Sequence, residues 1–231
     1  MDVMDDKEKQ AQTSGRIGLL RRILDGFGNC FGINICFVIG CLPVFTIGAS
    51  LTAAYSMSMK LQEGKEEYVL RGFIEDFKRN FKQATLSFLI VIAAFAVMFA
   101  EYLVINTTTG TIASIYMIVL GIELVLMLFV LPFLFPLIAR YENTILQTFK
   151  NAFLLSVGYL GKWLKIVVAW VAPIALSFIY PLIFLQTWYL WLIIIFGLII
   201  YGSSYSVRAV FYKNSEYIEM TKEKANKKTD D

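Results

Sequence analysis

Three long stretches of this chain carry almost no charge, and every Lys and Arg falls in the blocks between them. Residues 26–59 and 166–207 contain no Asp, Glu, Lys or Arg, and residues 83–139 contain only Glu101 and Glu123. A soluble fold spreads charge along its exposed faces, whereas a bilayer excludes ions from whole segments. In hydrocarbon a helix satisfies its own backbone, so the pattern describes an all-α, polytopic bundle of transmembrane helices. A crossing takes about 20 apolar residues, so the second and third stretches each have room for two. The first, broken at Leu42-Pro43, is shorter; it fits either a tight hairpin of two short helices or one long kinked helix.

Composition narrows the chemistry. The 231 residues are 58% hydrophobic and 17% charged, with a mean hydropathy of +0.64, too apolar for an ordinary soluble domain. A net charge of +3 gives no reason to expect nucleic acid as a partner. His is absent, and Cys30, Cys36 and Cys41 all lie in the first apolar stretch. On one helix the outer two would stand about 16 Å apart, beyond disulfide reach, so they read as packing residues. There is no Cys/His metal spacing, no nucleophile beside a base and no nucleotide fingerprint, so no enzyme activity, cofactor or metal is expected.

If each charge-poor stretch is a hairpin, the polar blocks at 1–25, 60–82, 140–165 and 208–231 share one side, with all the Lys and Arg. The positive-inside rule then puts both termini in the cytoplasm and gives about six membrane segments in three hairpins, near 27–42, 46–60, 84–105, 112–139, 164–184 and 188–208. A five-segment layout would leave Lys7, Lys9, Arg16, Arg21 and Arg22 outside. The single membrane domain is expected over 16–212, with polar tails at 1–15 and 213–231. At its start, Ile17, Leu20, Ile23, Leu24 and Phe27 take helical spacing opposite Arg16, Arg21 and Arg22, as on an interfacial helix; a signal peptide is the alternative. Val69, Phe73, Phe77 and Phe81 predict an amphipathic cytoplasmic helix before the third segment, where Glu66, Glu67, Glu75 and Asp76 read as a solvated face. The cluster Asn106-Thr107-Thr108-Thr109-Gly110 predicts a turn, as does the stretch from Pro181 to Thr187.

Two groups of residues stand out as candidate sites. Pro43 lacks an amide donor and closes the first segment, Thr46 is placed to cap the next, and Gly48, Ala49, Ala53 and Ala54 give that next helix a small-residue face for close packing. The group reads either as a structural break or as a broken-helix site for a polar ligand. Glu123 lies about 20 Å along its helix from the turn at 107–110, close to mid-bilayer, where an unpaired carboxylate is expensive and usually functional. With Asn29, Asn34 or a tyrosine of another segment as polar partner it suits proton coupling, or equally a hydrogen-bonded contact between helices. Glu101 stands nearer the outer end of its segment.

Leu42-Pro43, Thr46, Gly48-Ala49 and Ala53-Ala54, followed by Phe73, Phe77-Lys78 and Asn80-Phe81-Lys82-Gln83-Ala84, come in order over the first third of the chain. In these residues the chain resembles the YesL family of bacterial integral membrane proteins, whose function is uncharacterised and whose genes often neighbour carbohydrate ABC transporters. The resemblance implies a multi-pass protein of the bacterial plasma membrane, linked to sugar uptake or polysaccharide use, and supplies no catalytic residues. Two functional classes follow as expectations: an accessory component that binds a membrane partner such as an ABC permease, or a small transporter or channel with a mid-membrane site around Glu123.

Overall fold

The computed structural model describes residues 24–65 and 68–229, with side chains as far as Glu219. The expected tail at 1–15 and the basic start of the interfacial helix lie outside the described residues. Those described are all helical: α1 (Leu24–Gly40), a short 3-10 turn (Val44–Thr46), α2 (Ile47–Gln62), α3 (Val69–Thr107), α4 (Thr111–Arg140), α5 (Ile145–Gly158), α6 (Leu160–Ile179), α7 (Pro181–Thr187), a π-helical turn (Trp191–Ile195) and α8 (Phe196–Thr229). Among the described residues, four helical stretches are long and apolar enough to cross a membrane: α3, α4, α6 and Trp191–Glu219. The first charge-poor stretch holds two short helices, α1 and α2, separated at residues 41–43.

The amphipathic helix expected from Val69 feeds the next segment as one continuous helix of 39 residues. Two boundaries differ from the sequence reading. The expected turn at Pro181–Thr187 is itself a short helix with Pro181 in its first turn, where a missing amide costs nothing. The expected tail from 213 continues α8 in helical form to Thr229.

The core is centred on α2. Every residue from Gly48 to Met59 except Leu51 is buried, so this helix has no outer face. Between membrane helices the lipid removes most of the hydrophobic drive, and close packing of small residues takes its place. Gly48 shows how close: a Cβ there would stand 2.6 Å from the Ala84 carbonyl oxygen of α3 and 3.0 Å from the Phe135 ring of α4. At its far end α2 stops in a Schellman motif, with Gly64 at φ 66° and the amides of Gly64 and Lys65 bonded back to Leu61 and Lys60.

The α3–α4 pair is built differently. Along α3, Val91, Ala94, Met98, Glu101 and Ile105 are withdrawn from the surface, and along α4 Ala113, Tyr116, Leu120, Glu123, Met127 and Val130. Both rows alternate steps of three and four, the spacing of a narrow two-helix seam. The residues flanking the seam, such as Phe99, Leu103, Ile118 and Ile122, are exposed. Both membrane glutamates therefore sit in the seam itself.

Candidate functional site

At the break, Gly40 ends α1 and Pro43, extended at φ −78° and ψ 115°, leads into the 3-10 turn. Thr46 occupies the expected position before α2 but acts in the opposite sense from an N-cap. Its hydroxyl accepts nothing from α2 and donates instead to the carbonyls of Gly40 and Pro43, each at 2.6 Å. It ties the end of α1 to the turn. Ser50 Oγ adds a second tie, donating to the Phe37 carbonyl at 2.8 Å. Ala49, Ala53 and Ala54 are fully buried against neighbouring helices of the same chain, so the small-residue face is not available to a partner.

Asn34, on α1, is fully buried and reaches the π-helical turn. Its Nδ2 donates to the Leu192 carbonyl at 2.6 Å, and its Oδ1 accepts from the Gly197 amide at 2.8 Å. Residues 192 and 197 are five apart, the pair that a π turn would join directly. The Asn34 amide is thus inserted into that backbone link, completing the groups that the wider turn leaves open. Gly197 makes this possible: a Cβ there would lie 2.0 Å from the Cys30 carbonyl oxygen, so any side chain would force α8 away from α1.

Deeper in the core, Tyr55 of α2 is 2% exposed and its hydroxyl accepts from Trp170 Nε1 of α6 at 2.9 Å. Ser203 of α8 donates to the Ile200 carbonyl at 3.1 Å, which leaves Tyr55 as the donor in its 3.0 Å bond to Ser203. The chain of donors runs one way, from indole to phenol to serine to backbone. Beside it lies an apolar pocket of about 290 Å³, lined by Leu51, Tyr55, Leu131, Pro132, Trp170 and Val171 among others.

Glu123, Asn29 and Asn34 do not form one site. Asn34 is committed to α8, Asn29 is half-buried in the early turns of α1, and no hydrogen bond among the described residues joins either to Glu123. The Oε2 atom of Glu123 is buried without a hydrogen-bond partner, and the same holds for Oε2 of Glu101.

The residues that sequence reasoning missed are at the polar end. Glu63, just past α2, has only 8% of its side chain exposed and receives Arg140 at 2.8 Å, Lys65 at 2.6 Å and the Tyr212 hydroxyl at 3.0 Å. Burial pushes its carboxyl up, but the hydrogen bonds from Lys65, Arg140 and Tyr212, with the Arg140 charge, outweigh it and hold the carboxyl down at about 2. Asp76, read as part of a solvated face, is fully buried; one of its oxygens takes both Lys60 and Arg79 at 2.8 Å. It lies one turn from Phe73 on the face that α3 buries, and that apolar spacing was the available signal. For Glu63 no local signal exists, since Arg140 and Tyr212 are far along the chain. Arg208 completes the end by donating to the Gln62 carbonyl at 2.7 Å.

Helices of this length and apolarity point to a helical membrane protein. A family model described as a protein of unknown function, DUF624, matches residues 30–102. The matched region runs from the buried part of α1 through the break and α2 to Tyr102 of α3. Comparison with curated proteins and with solved structures gave no match.

Proposed function

We propose that this chain is a YesL-type protein of the bacterial plasma membrane, with both termini in the cytoplasm, and that it serves as a non-catalytic accessory of a carbohydrate uptake system, binding a membrane permease. DUF624 is the domain found in YesL-like proteins, which supports the kinship. The observation that carries the accessory reading is the state of the interior. Asn34, Thr46 and Ser50 spend their polar atoms on backbone, Tyr55 bonds to Trp170 and Ser203, and the pocket beside Tyr55 is lined by apolar groups. A substrate path needs polar groups left free to exchange partners, and the groups that tie α2 to α1, α6 and α8 are engaged, while Thr52 Oγ1 on α2 and Ser87 Oγ on α3 are buried without a partner. The arrangement of Lys and Arg supports three hairpins with the loops near Pro43, Thr108 and Pro181 outside.

Gentle-detergent pull-down of the tagged protein from its native membrane, under growth on complex polysaccharide, tests the reading. Stoichiometric recovery of permease subunits is the expected result, and recovery of the chain alone would overturn it. The second reading, a small transporter, is favoured by one observation, the unpartnered oxygen of Glu123. It requires that Glu123→Gln abolish uptake by the reconstituted protein.

A further inference from the structure

We propose that the α1–α2 hairpin does not cross the membrane: it enters from the cytoplasmic side and ends with its loop, residues 42–45, among the acyl chains of the inner leaflet. The inference goes beyond the accessory reading and does not depend on it.

The α3–α4 hairpin supplies the scale. α3 is unbroken over 39 residues and passes into α4 through the polar stretch 107–110. Phe99, Leu103, Ile112, Ile115 and Ile118, close to that turn, are exposed apolar side chains, so hydrocarbon must reach them. The turn therefore marks the outer interface. Gly48, in the first turn of α2, is wedged against α3: a Cβ there would stand 2.6 Å from the Ala84 carbonyl oxygen and 2.6 Å from the Phe88 Cβ. At the α-helical rise, Ala84 and Phe88 lie about 35 and 29 Å from Thr107. Gly48 is thus about 32 Å below the turn, where a hydrocarbon layer of about 30 Å has ended. A tilt of about 40°, the upper end of the usual range, still leaves about 25 Å. From Gly48 the 3-10 turn brings the chain only about 9 Å back towards the outside by Pro43. The loop stops in the inner half of the bilayer.

A second marker agrees. Trp163 Nε1 of α6 donates to the Leu128 carbonyl at 3.1 Å, with Lys162 and Lys165 beside it in sequence. Leu128 lies about 26 Å from Thr111 by rise, so this Trp and these lysines stand at the depth of the inner interface, where both residue types are favoured. Gly48 lies no higher than that level.

The loop suits lipid better than water. Leu42, Val44 and Phe45 are exposed and no residue from 42 to 45 has a polar side chain, whereas the outer turn reads Asn106-Thr107-Thr108-Thr109-Gly110. Irregular backbone persists at such a depth only when its polar groups are bonded. Pro43 has no amide, and the amides of Cys41, Leu42 and Thr46 are bonded within the break. The Thr46 hydroxyl donates to the Gly40 and Pro43 carbonyls, which explains why it turns away from α2. The pattern of Lys and Arg is met equally well, because a hairpin that returns to the cytoplasm leaves 1–25 and 60–82 on one side, as a full crossing would. What changes from the layout drawn on charge alone is the depth of the Pro43 loop.

The test places single cysteines at Val44, Phe45 and Thr108 in the full chain lacking Cys30, Cys36 and Cys41, in native membranes. An impermeant maleimide should label Thr108→Cys from outside, and Val44→Cys and Phe45→Cys from neither side, while all three react after denaturation. A fluorophore on Val44→Cys, in vesicles of phosphatidylcholine and phosphatidylglycerol, should be quenched by phosphatidylcholine bearing a nitroxide on its acyl chain and not by a water-soluble nitroxide. Val44 and Phe45 are exposed, so neither substitution disturbs the core, and gel filtration verifies each variant. Labelling of Val44→Cys or Phe45→Cys from outside overturns the proposal, because the hairpin would then cross. Labelling from the cytoplasm, or quenching by the water-soluble nitroxide, overturns it as well, because the loop would then lie in water.

Discussion

The core around α2 and the α3–α4 seam both hold polar groups, and they satisfy them to different degrees. Around α2 the Tyr55, Ser50 and Thr46 hydroxyls that meet α1, α6 and α8 reach partners within 3.0 Å, while Thr52 Oγ1 is buried without one. In the seam, two carboxyl groups each keep an oxygen without one. A polar group in a dry interior is costly unless bonded, so the first region favours a single arrangement of its helices while the second carries an unmet demand. The difference also appears in the glycines. Gly48 and Gly197 are in contact with other helices' backbones, whereas Gly121 faces open space.

Several substitutions break or sharpen that contrast. The largest effect is expected at Gly197. Alanine there meets the Cys30 backbone and should cost more than about 3 kcal/mol, since overpacking against rigid atoms is poorly relieved. Thermal unfolding in detergent reads it, and Gly121→Ala serves as the neutral control. Asn34→Leu comes next, because it leaves the Leu192 carbonyl and Gly197 amide unpaired inside the bundle; a loss of about 2–3 kcal/mol follows from the cost of orphaned groups.

A smaller and pH-dependent effect belongs to Glu63, which binds the foot of α2 to α4 and α8. Its carboxyl is held at about 2, below its ordinary value of 4.5. A depressed folded-state value means the contribution is present in full above pH 4.5 and is lost as pH falls towards 2. Glu63→Gln should remove the part of the acid sensitivity that falls in this window, as measured by the unfolding midpoint in detergent. The smallest effect is expected in the seam: Glu123→Leu should leave stability unchanged or raise it slightly, since it deletes an unpaired polar atom. A large destabilisation by Glu123→Leu would erase the contrast between the two regions.

What the sequence made legible follows from which forces are local. Charge exclusion is read residue by residue, so the apolar blocks and the turn at 107–110 were plain; α3 ends at Thr107 and α4 begins at Thr111. The break at Pro43 was legible for the same reason, because a missing amide is a property of one residue. The helix at Pro181–Thr187 was hidden, since Pro181 suggests a turn where it in fact opens a helix. The roles of Asn34, Tyr55 and Glu63 depend on residues brought close only by packing of the whole bundle. Asn34 meets a π turn more than 150 residues later, and no pattern near position 34 announces it. Glu123 was visible as an anomaly from its neighbours alone, but its company was not: its seam is shared with Glu101, and neither Asn29 nor Asn34 is bonded to it.

The most direct test of a closed centre beside an open flank is cysteine accessibility in native membranes. In a variant lacking Cys30, Cys36 and Cys41, single cysteines would be placed at Leu131 and Val171, which line the pocket beside Tyr55, and at Ser203. The expected result is that a membrane-impermeant maleimide labels none of the three from either side, while all react after denaturation. Labelling of the Leu131→Cys or Ser203→Cys variant in the intact membrane would reveal a water-filled passage through the bundle and contradict the reading of this chain as a sealed interaction component.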